Sequence, residues 1–495
     1  MFTLYLITLI LGYCLYRWIA GRLPGIPGPW GIPILGYFPW LGRRINESFT
    51  ELSNRYGPVF QVQMGARQIL VLNGQAAIRE ASSGAKGQDF AGRPPFWTMG
   101  LFGVYGATGF PPAQKMYKKM TLRAMGMFAN SKKAELEQTA YKAFHMLVDE
   151  FKERKGEPFD PKLLLYDVVW TIMGFICYGR SFQREDPEVR QILATADQFS
   201  KTVVFGVLVD YLPWAGSLMR KSLEANAQLM GSIESTATKL AAETSKDWDG
   251  KSLRNIADMF KIADAERSEE EKQQLELGDD TLLKMLTNLF GAGFATVATI
   301  IKWGLLFTAR HPEMQQRLQE ELDQVLDGKD YPSLEDEKDL HYTSAFLAET
   351  YRYSSMASLA MTHMTVRDTE VAGFRIPANT PVVLNLYSAH YDDSVFEDPD
   401  TFNPDRFLDS RGQLNKAHVE EVMAYGLGPR RCGGELLARV EIFLFFATIL
   451  YHCRVEPGLG EKLDPKDYNF GLGLDPAPFK VAFLPRRGLW STQEQ

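Results

Sequence analysis

YGLGPRRCGGELLAR, the stretch from Tyr425 to Arg439, surrounds a single cysteine with glycines and arginines. Glycines at positions 426, 428, 433 and 434 let a backbone loop approach a flat group closely. Cys432 stands just before an apolar-periodic segment that predicts a helix from about Glu435. The N–H groups at the start of that helix would stabilise a thiolate, and Arg430 could pair with an anionic group on a ligand. A buried structural cysteine in a glycine-rich turn is the alternative.

This stretch resembles the cysteine loop of the cytochrome P-450 superfamily, F-x-x-G-x-R-x-C-x-G. The matching residues are Tyr425, Gly428, Arg430, Cys432 and Gly434, with Tyr in place of Phe. The resemblance implies that Cys432 is the thiolate ligand of the iron of haem b. It also places Arg430, Gly426 and Gly434 at the cofactor. A thiolate donates electrons strongly to iron, which favours O–O cleavage.

The resemblance extends over the whole chain. The family's Glu-x-x-Arg pair matches Glu349 and Arg352 in ETYR, and a later family arginine matches Arg406 in FNPDRF. One carboxylate bridging two guanidiniums would fix the core on the haem side. Glu349 and Arg352 could otherwise be an exposed pair on one helix face. By resemblance, His363 contacts a haem propionate; a hydrogen-bonded core histidine is the alternative.

Two stretches indicate a branch of the family. LFGAGFATVATIIKWGLL and VRDTEVAGFRIP are similar to animal microsomal enzymes of the aryl-hydrocarbon hydroxylase and steroid 17-hydroxylase type. The fold class that this implies is mainly α with small β-sheets, and a long central helix crosses over the haem. The pattern predicts that helix from Asp279 to about Ala309, apolar nearly all round and therefore buried.

Shorter elements follow from local patterns. Residues 113–242 are predicted to be mostly helical, and 251–279, which are highly charged, to form an exposed loop with a short helix. Alternating runs at 59–64 and 68–72 predict a β-hairpin. Two further strands are expected at 371–376 and 381–386, around a turn with Pro377 and Asn379.

The N-terminus predicts a membrane anchor. Residues 1–20 form an apolar run, and the first positive charges come late, at Arg17 and Arg22. At about 1.5 Å per residue, this run just spans a bilayer core of roughly 30 Å. A cleavable signal peptide or a buried helix is the alternative. We expect a single-pass anchor in the endoplasmic reticulum membrane with the catalytic domain, residues 44–495, in the cytosol. Prolines and glycines make residues 21–43 a stiff hinge.

The bulk composition excludes several classes. The chain has 495 residues, 45% of them apolar, and a net charge of −7, so no basic field predicts nucleic-acid binding. Four cysteines rule out a disulfide framework, and no C-x-x-C pair suggests zinc. No second hydrophobic core with its own linker is visible, which predicts one large domain after the anchor.

The first departure from the family lies in the long helix. The family usually has Ala-Gly-x-Asp/Glu-Thr there, and this chain has Ala292, Gly293, Phe294, Ala295 and Thr296. The small pair beginning at Ala292 should leave room beside the haem, and the Thr296 hydroxyl can still order a water. The acid is absent. Losing a positioned proton donor typically costs a factor of about 10² to 10⁴. Substrate or water could deliver the protons, the reaction could need none, or the protein could be a non-catalytic relative.

Two more departures concern the rims of the site. The family's Trp-x-x-x-Arg, which holds a propionate, aligns with Gln114 and Lys118. Lysine keeps the charge but not the planar fork. A basic face of Lys115, Lys118, Lys119 and Arg123 is compatible with that role, and in the family this face docks an acidic reductase. The loop after the Glu-x-x-Arg helix has Ser358 and Thr362 where the family carries prolines.

Three functional classes follow. The first is a membrane-anchored monooxygenase that inserts one oxygen atom of O2 into a small apolar substrate, with electrons from NADPH–cytochrome P-450 reductase. The second is a haem-thiolate isomerase or dehydratase without external electrons, which Ala295 favours. The third is a haem carrier or sensor, for which the anchor and the basic face would have no purpose.

Overall fold

The computed structural model describes positions 5 and 12 and residues 21–101, 111–129, 132–180, 208–274 and 281–486. The predicted anchor over residues 1–20 therefore lies outside the described residues, apart from those two positions.

The described chain is mainly helical, as predicted. Its helices are α1 (Phe38–Leu41), α2 (Ile45–Tyr56), α3 (Gly74–Ser82), α4 (Gly84–Asp89), α5 (Trp97–Leu101), α6 (Pro111–Ala129), α7 (Lys133–Arg154), α8 (Lys162–Tyr178), α9 (Leu208–Tyr211), α10 (Arg220–Ser245), α11 (Ile256–Ala265), α12 (Glu269–Gln274), α13 (Thr281–Arg310), α14 (Pro312–Val325), α15 (His341–Ser354), α16 (Leu386–His390), α17 (Lys416–Val419) and α18 (Glu435–His452).

The long predicted helix is α13, which lies at the centre of the main hydrophobic core. It ends at Arg310 because Pro312 starts the next helix and disfavours a helical conformation before it. Phe290 meets Trp170 of α8 edge to face, with ring centroids 4.4 Å apart. By length and composition Met285–Arg310 could span a membrane, but most of that window is buried in the fold, as in a core helix.

Small sheets flank the helices. The strands are β1 (Val59–Met64), β2 (Arg67–Asn73), β3 (His363–Met364), β4 (Thr369–Val371), β5 (Phe374–Ile376), β6 (Pro381–Asn385), β7 (Cys453–Pro457), β8 (Tyr468–Phe470), β9 (Leu474–Pro476) and β10 (Val481–Pro485). The largest has the order β1-β2-β6-β3. The predicted hairpin is confirmed: β1 and β2 are antiparallel, with Val59 opposite Leu72.

The single strand predicted at 371–376 is wrong. The segment is a hairpin of β4 and β5, in which Val371 pairs with Phe374. Ala372 and Gly373 turn the chain between them, with φ of 48° and 78°. An alternating pattern does not reveal a two-residue turn when one of its residues is an alanine, which rarely adopts positive φ.

The segment at 251–279 is less exposed than predicted. Its helix α11 buries an apolar face that includes Ile256, Met259 and Phe260 in the main core. The side chain of Asn255 accepts a hydrogen bond from the N–H of Asp258 and caps the helix. The charged residues around this helix concealed its apolar face from a reading based on charge.

The proline-rich segment at 21–43 packs against the first strand. The amide of Gln61 donates hydrogen bonds to the carbonyls of Leu23 (2.9 Å) and Ile26 (2.5 Å), and its oxygen accepts from the Leu23 N–H at 2.7 Å. Tyr37 N–H donates to the carbonyl of Gln63 at 2.7 Å. These bonds tie the segment to the domain; its action as a hinge stays a prediction.

A buried ion network joins α15 to the segment that follows α16. The carboxylate of Glu349 accepts two hydrogen bonds from Arg352, at 2.6 and 2.7 Å, and one from Arg406 at 3.2 Å. The side chains of Glu349 and Arg352 are fully buried. The three residues predicted as a structural set therefore do meet. Burial opposes the charge of Arg352, but Glu349 raises the pKa of Arg352 above its usual value.

Glu349→Ala should destabilise the protein by about 3–5 kcal/mol, because Arg352 would keep a buried charge without its counter-ion. Urea unfolding followed by circular dichroism measures the loss. Asp405→Ala is the matched control, since it removes an exposed ion pair with Arg317 and should cost at most about 1 kcal/mol. Equal losses in the two variants would contradict the role given to Glu349.

Candidate functional site

The cysteine loop is held by its own backbone. The N–H of Cys432 donates to the carbonyl of Tyr425 at 2.8 Å, and the N–H of Gly426 donates to the carbonyl of Met423 at 2.9 Å. Helix α18 begins directly after the loop, at Glu435, as predicted. The loop therefore presents Cys432 from a closed turn at the start of a helix.

Two glycines of this loop are required by its conformation. Gly426 and Gly428 have φ of 68° and 64°, in the left-handed region that L side chains rarely adopt. A Cβ at Gly428 would also lie 1.8 Å from the carbonyl oxygen of Ser82. Gly434 differs, because its φ is −91° and a Cβ there would meet no atom within 4 Å. That space is open for a neighbouring group.

The side chain of Cys432 is accessible to solvent, although protein atoms surround it closely. Desolvation raises the pKa of the Cys432 thiol, while the backbone N–H groups of Gly434 and Glu435 lower it. The helix start thus acts in the predicted direction, but it does not outweigh desolvation. A thiolate at this position needs a cationic partner, which an iron ion would supply.

The opposite wall of the site comes from α13. Ala292 and Thr296, one turn apart, are exposed although most of this helix is buried. Gly293 serves another purpose than predicted, because a Cβ there would lie 2.6 Å from the Cε of Met173. Its small size lets α8 pack closely, and only Ala292 of the pair faces the open side.

A cleft that is open to solvent separates the two walls. The described residues that line it are Thr296, Val297, Ile300, Tyr351, Met356, Ala357, Ala424, Tyr425, Ala438 and Ile442. None of these residues carries a charge. The cleft therefore suits a flat apolar group between α13 and the cysteine loop.

Basic side chains gather at one edge of this region. Arg93 Nη1 donates to the carbonyls of Met361 (2.6 Å) and Thr362 (2.9 Å), and its buried Nε has no hydrogen-bond partner among the described residues. Desolvation, and then the charge of Arg430, lower the pKa of Arg93 well below its usual range. Desolvation lowers the pKa of Arg430 to about 10.

His363 belongs to the same cluster. Its Nδ1 lies 2.8 Å from the carbonyl of Phe90, so Nδ1 carries the proton. Desolvation, followed by the charges of Arg93 and Arg430, lowers the pKa of His363 well below its usual range. The side-chain charges that act on Arg93 and His363 are thus positive, and anionic groups would relieve them. Haem b carries two propionates and an iron, so Arg93, Arg430, His363 and Cys432 together fit it.

Sequence reasoning missed Arg93. The backbone of Gly92 pairs with Met364 through two hydrogen bonds of 2.9 Å, and this pairing brings Arg93 beside His363. About 270 residues separate the two in the chain, and no local pattern marks Arg93 as more than a surface arginine.

Lys118, whose predicted contact with a propionate stays a prediction, touches the cysteine loop. Its amine donates to the carbonyls of Gly428 (3.1 Å) and Pro429 (3.4 Å), and so supports the cysteine loop. Desolvation and then the charge of Arg431 lower the pKa of Lys118. The side chains of Gln114 and Lys115 lie outside the described residues. Lys119 and Arg123 are exposed on the same helix, and Arg123 lies 3.5 Å from Glu266.

His390, which the sequence also left unnoticed, links the buried ion network to the cysteine loop. Arg352 donates to the carbonyl of His390 at 2.9 Å, and the N–H of Met423 donates to His390 Nε2 at 3.0 Å. Desolvation, with the charge of Arg352, lowers the pKa of His390 to about 3, so the ring is neutral. Neutrality keeps Nε2 available as an acceptor. His390 is thus a hydrogen-bonded core histidine.

The comparisons agree with this geometry. The family model described as Cytochrome P450 matches residues 26–483. The chain therefore belongs to the cytochrome P450 family, and it is a haem-dependent monooxygenase whose family binds haem b through a cysteine thiolate. It is 33% identical to Cytochrome P450 1A1 of Rattus norvegicus, covering 92% of this chain and 90% of the relative. It is 31% identical to Cytochrome P450 1A1 of Homo sapiens, with 91% and 92% covered. These relatives favour the oxygenase over the isomerase or dehydratase alternative.

Arg93→Gln should release haem roughly 10- to 100-fold faster, because a charge-assisted hydrogen bond contributes about 1.5–3 kcal/mol. Transfer of haem to apomyoglobin measures the rate. Arg367→Gln is the matched control, since this arginine pairs with Asp89 at 2.5 Å and is largely exposed. Haem loss that is no faster in Arg93→Gln than in the control would remove Arg93 from the haem site.

Proposed function

We propose that Cys432 is the thiolate ligand of the haem iron in an enzyme that inserts one oxygen atom into a small apolar substrate. One observation carries this proposal: accessible Cys432 belongs to the loop that forms one wall of a cleft whose other wall bears Thr296, beside the basic cluster of Arg93, Arg430 and His363. Bound haem supplies the oxygen-activating chemistry.

The basic cluster would hold the propionates. Arg93 and Arg430 offer charge-assisted hydrogen bonds, and Arg93 has a buried Nε still free for one among the described residues. His363 already donates through Nδ1, so it can donate to a carboxylate through Nε2 only when protonated. An adjacent propionate would raise the pKa of His363 and favour that form. Contacts of Gly426, Gly434 and Ala292 with the cofactor, and any propionate role of Lys118, stay proposals.

Thr296 is the proposed catalytic residue on the open side. Its hydroxyl donates to the carbonyl of Ala292 at 2.7 Å, which fixes its rotamer and leaves the oxygen lone pairs available to a water. Ala295, which stands where the family has an acid, cannot donate a proton. It is half-buried and packs against the apolar core. We therefore assign proton delivery to a water chain at Thr296 or to the substrate itself.

The substrate would be apolar because the described lining of the cleft is. Val297, Ile300 and Met356 offer only hydrocarbon and thioether surface. The loop with Ser358 and Thr362 borders this region, and both residues are buried. The shape that this loop presents to the substrate would decide which carbon atom of the substrate reacts.

Electrons would come from NADPH–cytochrome P-450 reductase. Lys118 touches the cysteine loop, and Lys119 and Arg123 are exposed on the same helix, where Arg123 is paired with Glu266. Positive charge at this face would attract an acidic partner, and the association should weaken with salt.

A membrane location is proposed from two observations. Residues 1–20 are apolar enough for an anchor, followed by residues 21–43 as the hinge and 44–495 as the haem domain. In addition, large side chains are more than half exposed near one end of the first hairpin: Trp30, Ile34, Trp40, Trp214 and Leu218. The two chain segments that carry these side chains are bonded to the turn of the hairpin: the N–H of Gly65 donates to the carbonyl of Leu35, and the N–H of Ala66 donates to the carbonyl of Tyr211. Such a patch suits the endoplasmic reticulum membrane surface, with the domain in the cytosol.

Cys432→Ala should abolish the red-shifted Soret band of the reduced, CO-bound protein, because that band requires a thiolate ligand. The CO difference spectrum of the full chain is the measurement. Cys453→Ala, which removes a fully buried cysteine of β7, is the control and should retain the band. A thiolate-type band in Cys432→Ala would refute the assignment.

Ala295→Asp should raise the fraction of NADPH that ends in product, because it restores a proton donor next to Thr296, with a rate gain of up to about 100-fold. Product, NADPH and hydrogen peroxide are measured with the reductase present and biphenyl as the apolar probe. Ala295→Asn has the same shape without the acid and should leave coupling unchanged. Coupling that stays flat or falls in Ala295→Asp speaks against the proton-relay argument.

A further inference from the structure

A second cleft, with a volume of about 380 Å³, lies between α2 and the C-terminal ends of α15 and α16. Its described lining shares no residue with the cleft beside Thr296. Ser354 borders the second cleft, while Met356 borders the first. The short segment that follows α15 therefore separates the two spaces.

One wall of this second cleft is aromatic. Tyr387 and Tyr391 stack with ring centroids 4.4 Å apart at 23°, and Tyr353 meets Tyr391 at 5.8 Å. Trp303 completes the wall and is fixed by a hydrogen bond from its indole N–H to the Leu474 carbonyl at 2.9 Å. Ring faces held in fixed positions favour a flat aromatic ligand, which loses little entropy against them.

Most of the charges around this cleft are already paired, but Glu51, which also borders it, has no ion pair among the described residues. Arg44 lies 3.2 Å from Glu47, which also accepts a hydrogen bond from the Tyr468 hydroxyl at 2.6 Å. Lys466 lies 2.8 Å from Asp400. A charged ligand would have to compete with these pairs, whereas an uncharged ligand leaves them intact.

The aromatic wall offers one polar group. The hydroxyl of Tyr387 has no hydrogen-bond partner among the described residues, whereas that of Tyr391 donates to the Tyr353 carbonyl at 2.8 Å. Desolvation raises the pKa of Tyr387, so this phenol stays protonated and can donate. A ligand with an acceptor oxygen would satisfy it.

We propose that this cleft is a second ligand site, which binds a flat, uncharged aromatic molecule that carries a hydroxyl or carbonyl oxygen. The ligand ring packs against the stacked pair of Tyr387 and Tyr391, and its oxygen accepts from the Tyr387 hydroxyl. Occupation of this site is independent of the haem iron.

Equilibrium dialysis of the holoenzyme with 2-naphthol tests the site. Saturating clotrimazole, whose bulky trityl group is not flat, coordinates the iron and fills the haem-side space, as its absorption spectrum verifies. One equivalent of 2-naphthol should still bind. Tyr387→Ala should weaken this binding roughly three- to tenfold through lost stacking, and Tyr387→Phe about two- to tenfold through the lost hydrogen bond.

Tyr141→Ala is the matched control, because Tyr141 is also half-buried and stacks on another tyrosine, Tyr331, with centroids 4.8 Å apart, outside both clefts. It should bind 2-naphthol as the unaltered enzyme does. Tyr387→Phe keeps the ring, so it remains informative if Tyr387→Ala does not fold. On the same ring system, the anionic 2-naphthoate should bind more weakly than 2-naphthol, because the carboxylates of Glu47 and Glu51 border the cleft.

Three results would overturn the proposal. The first is that no 2-naphthol binds once clotrimazole occupies the iron. The second is that folded Tyr387 variants bind it unchanged. The third is that 2-naphthoate binds as tightly as 2-naphthol.

Discussion

The fully buried carboxylate of Glu349 is the constraint on which the haem side of this protein depends. Two arginines must meet it, because a buried charge without a partner would destabilise the fold. Arg352 then reaches the carbonyl of His390, and the ring of His390 accepts the N–H of Met423. The carbonyl of Met423 accepts a hydrogen bond from the N–H of Gly426, in the loop that carries Cys432. A single ion network thus fixes the position of the candidate iron ligand through a chain of hydrogen bonds.

The electrostatics of the site favour a ligand that carries both a cation and anions. Desolvation disfavours the thiolate of Cys432, and Arg93 and His363 feel only positive side-chain charges. One cofactor with a cationic iron and two anionic propionates resolves both conditions at once. The cleft between α13 and the cysteine loop adds an uncharged space for the flat macrocycle. The complementarity is therefore electrostatic at the edges and apolar in the middle.

The two walls of the cleft differ in how closely they follow the family. The cysteine-loop wall keeps the family's residues, apart from Tyr425 for Phe. The α13 wall keeps Thr296 but has Ala295 in place of the acid, half-buried against the core. The proximal residues are therefore those of the family, whereas we propose that water or the substrate supplies the protons on the open side. Proton supply by water or substrate would make the rate of oxygenation depend on which molecule occupies the cleft.

The cysteine loop, the Glu-x-x-Arg pair and the long apolar helix could be predicted from the amino-acid sequence, because each depends on residues that are neighbours in the chain. Helix and hairpin patterns were likewise readable, except where an alanine occupied the turn between β4 and β5 and where charges hid the apolar face of α11. Only the tertiary structure brought Arg93 beside His363 and joined Tyr387 to Trp303 around a second cleft. Such meetings are set by strand pairing and helix packing across hundreds of residues, and no local periodicity encodes them.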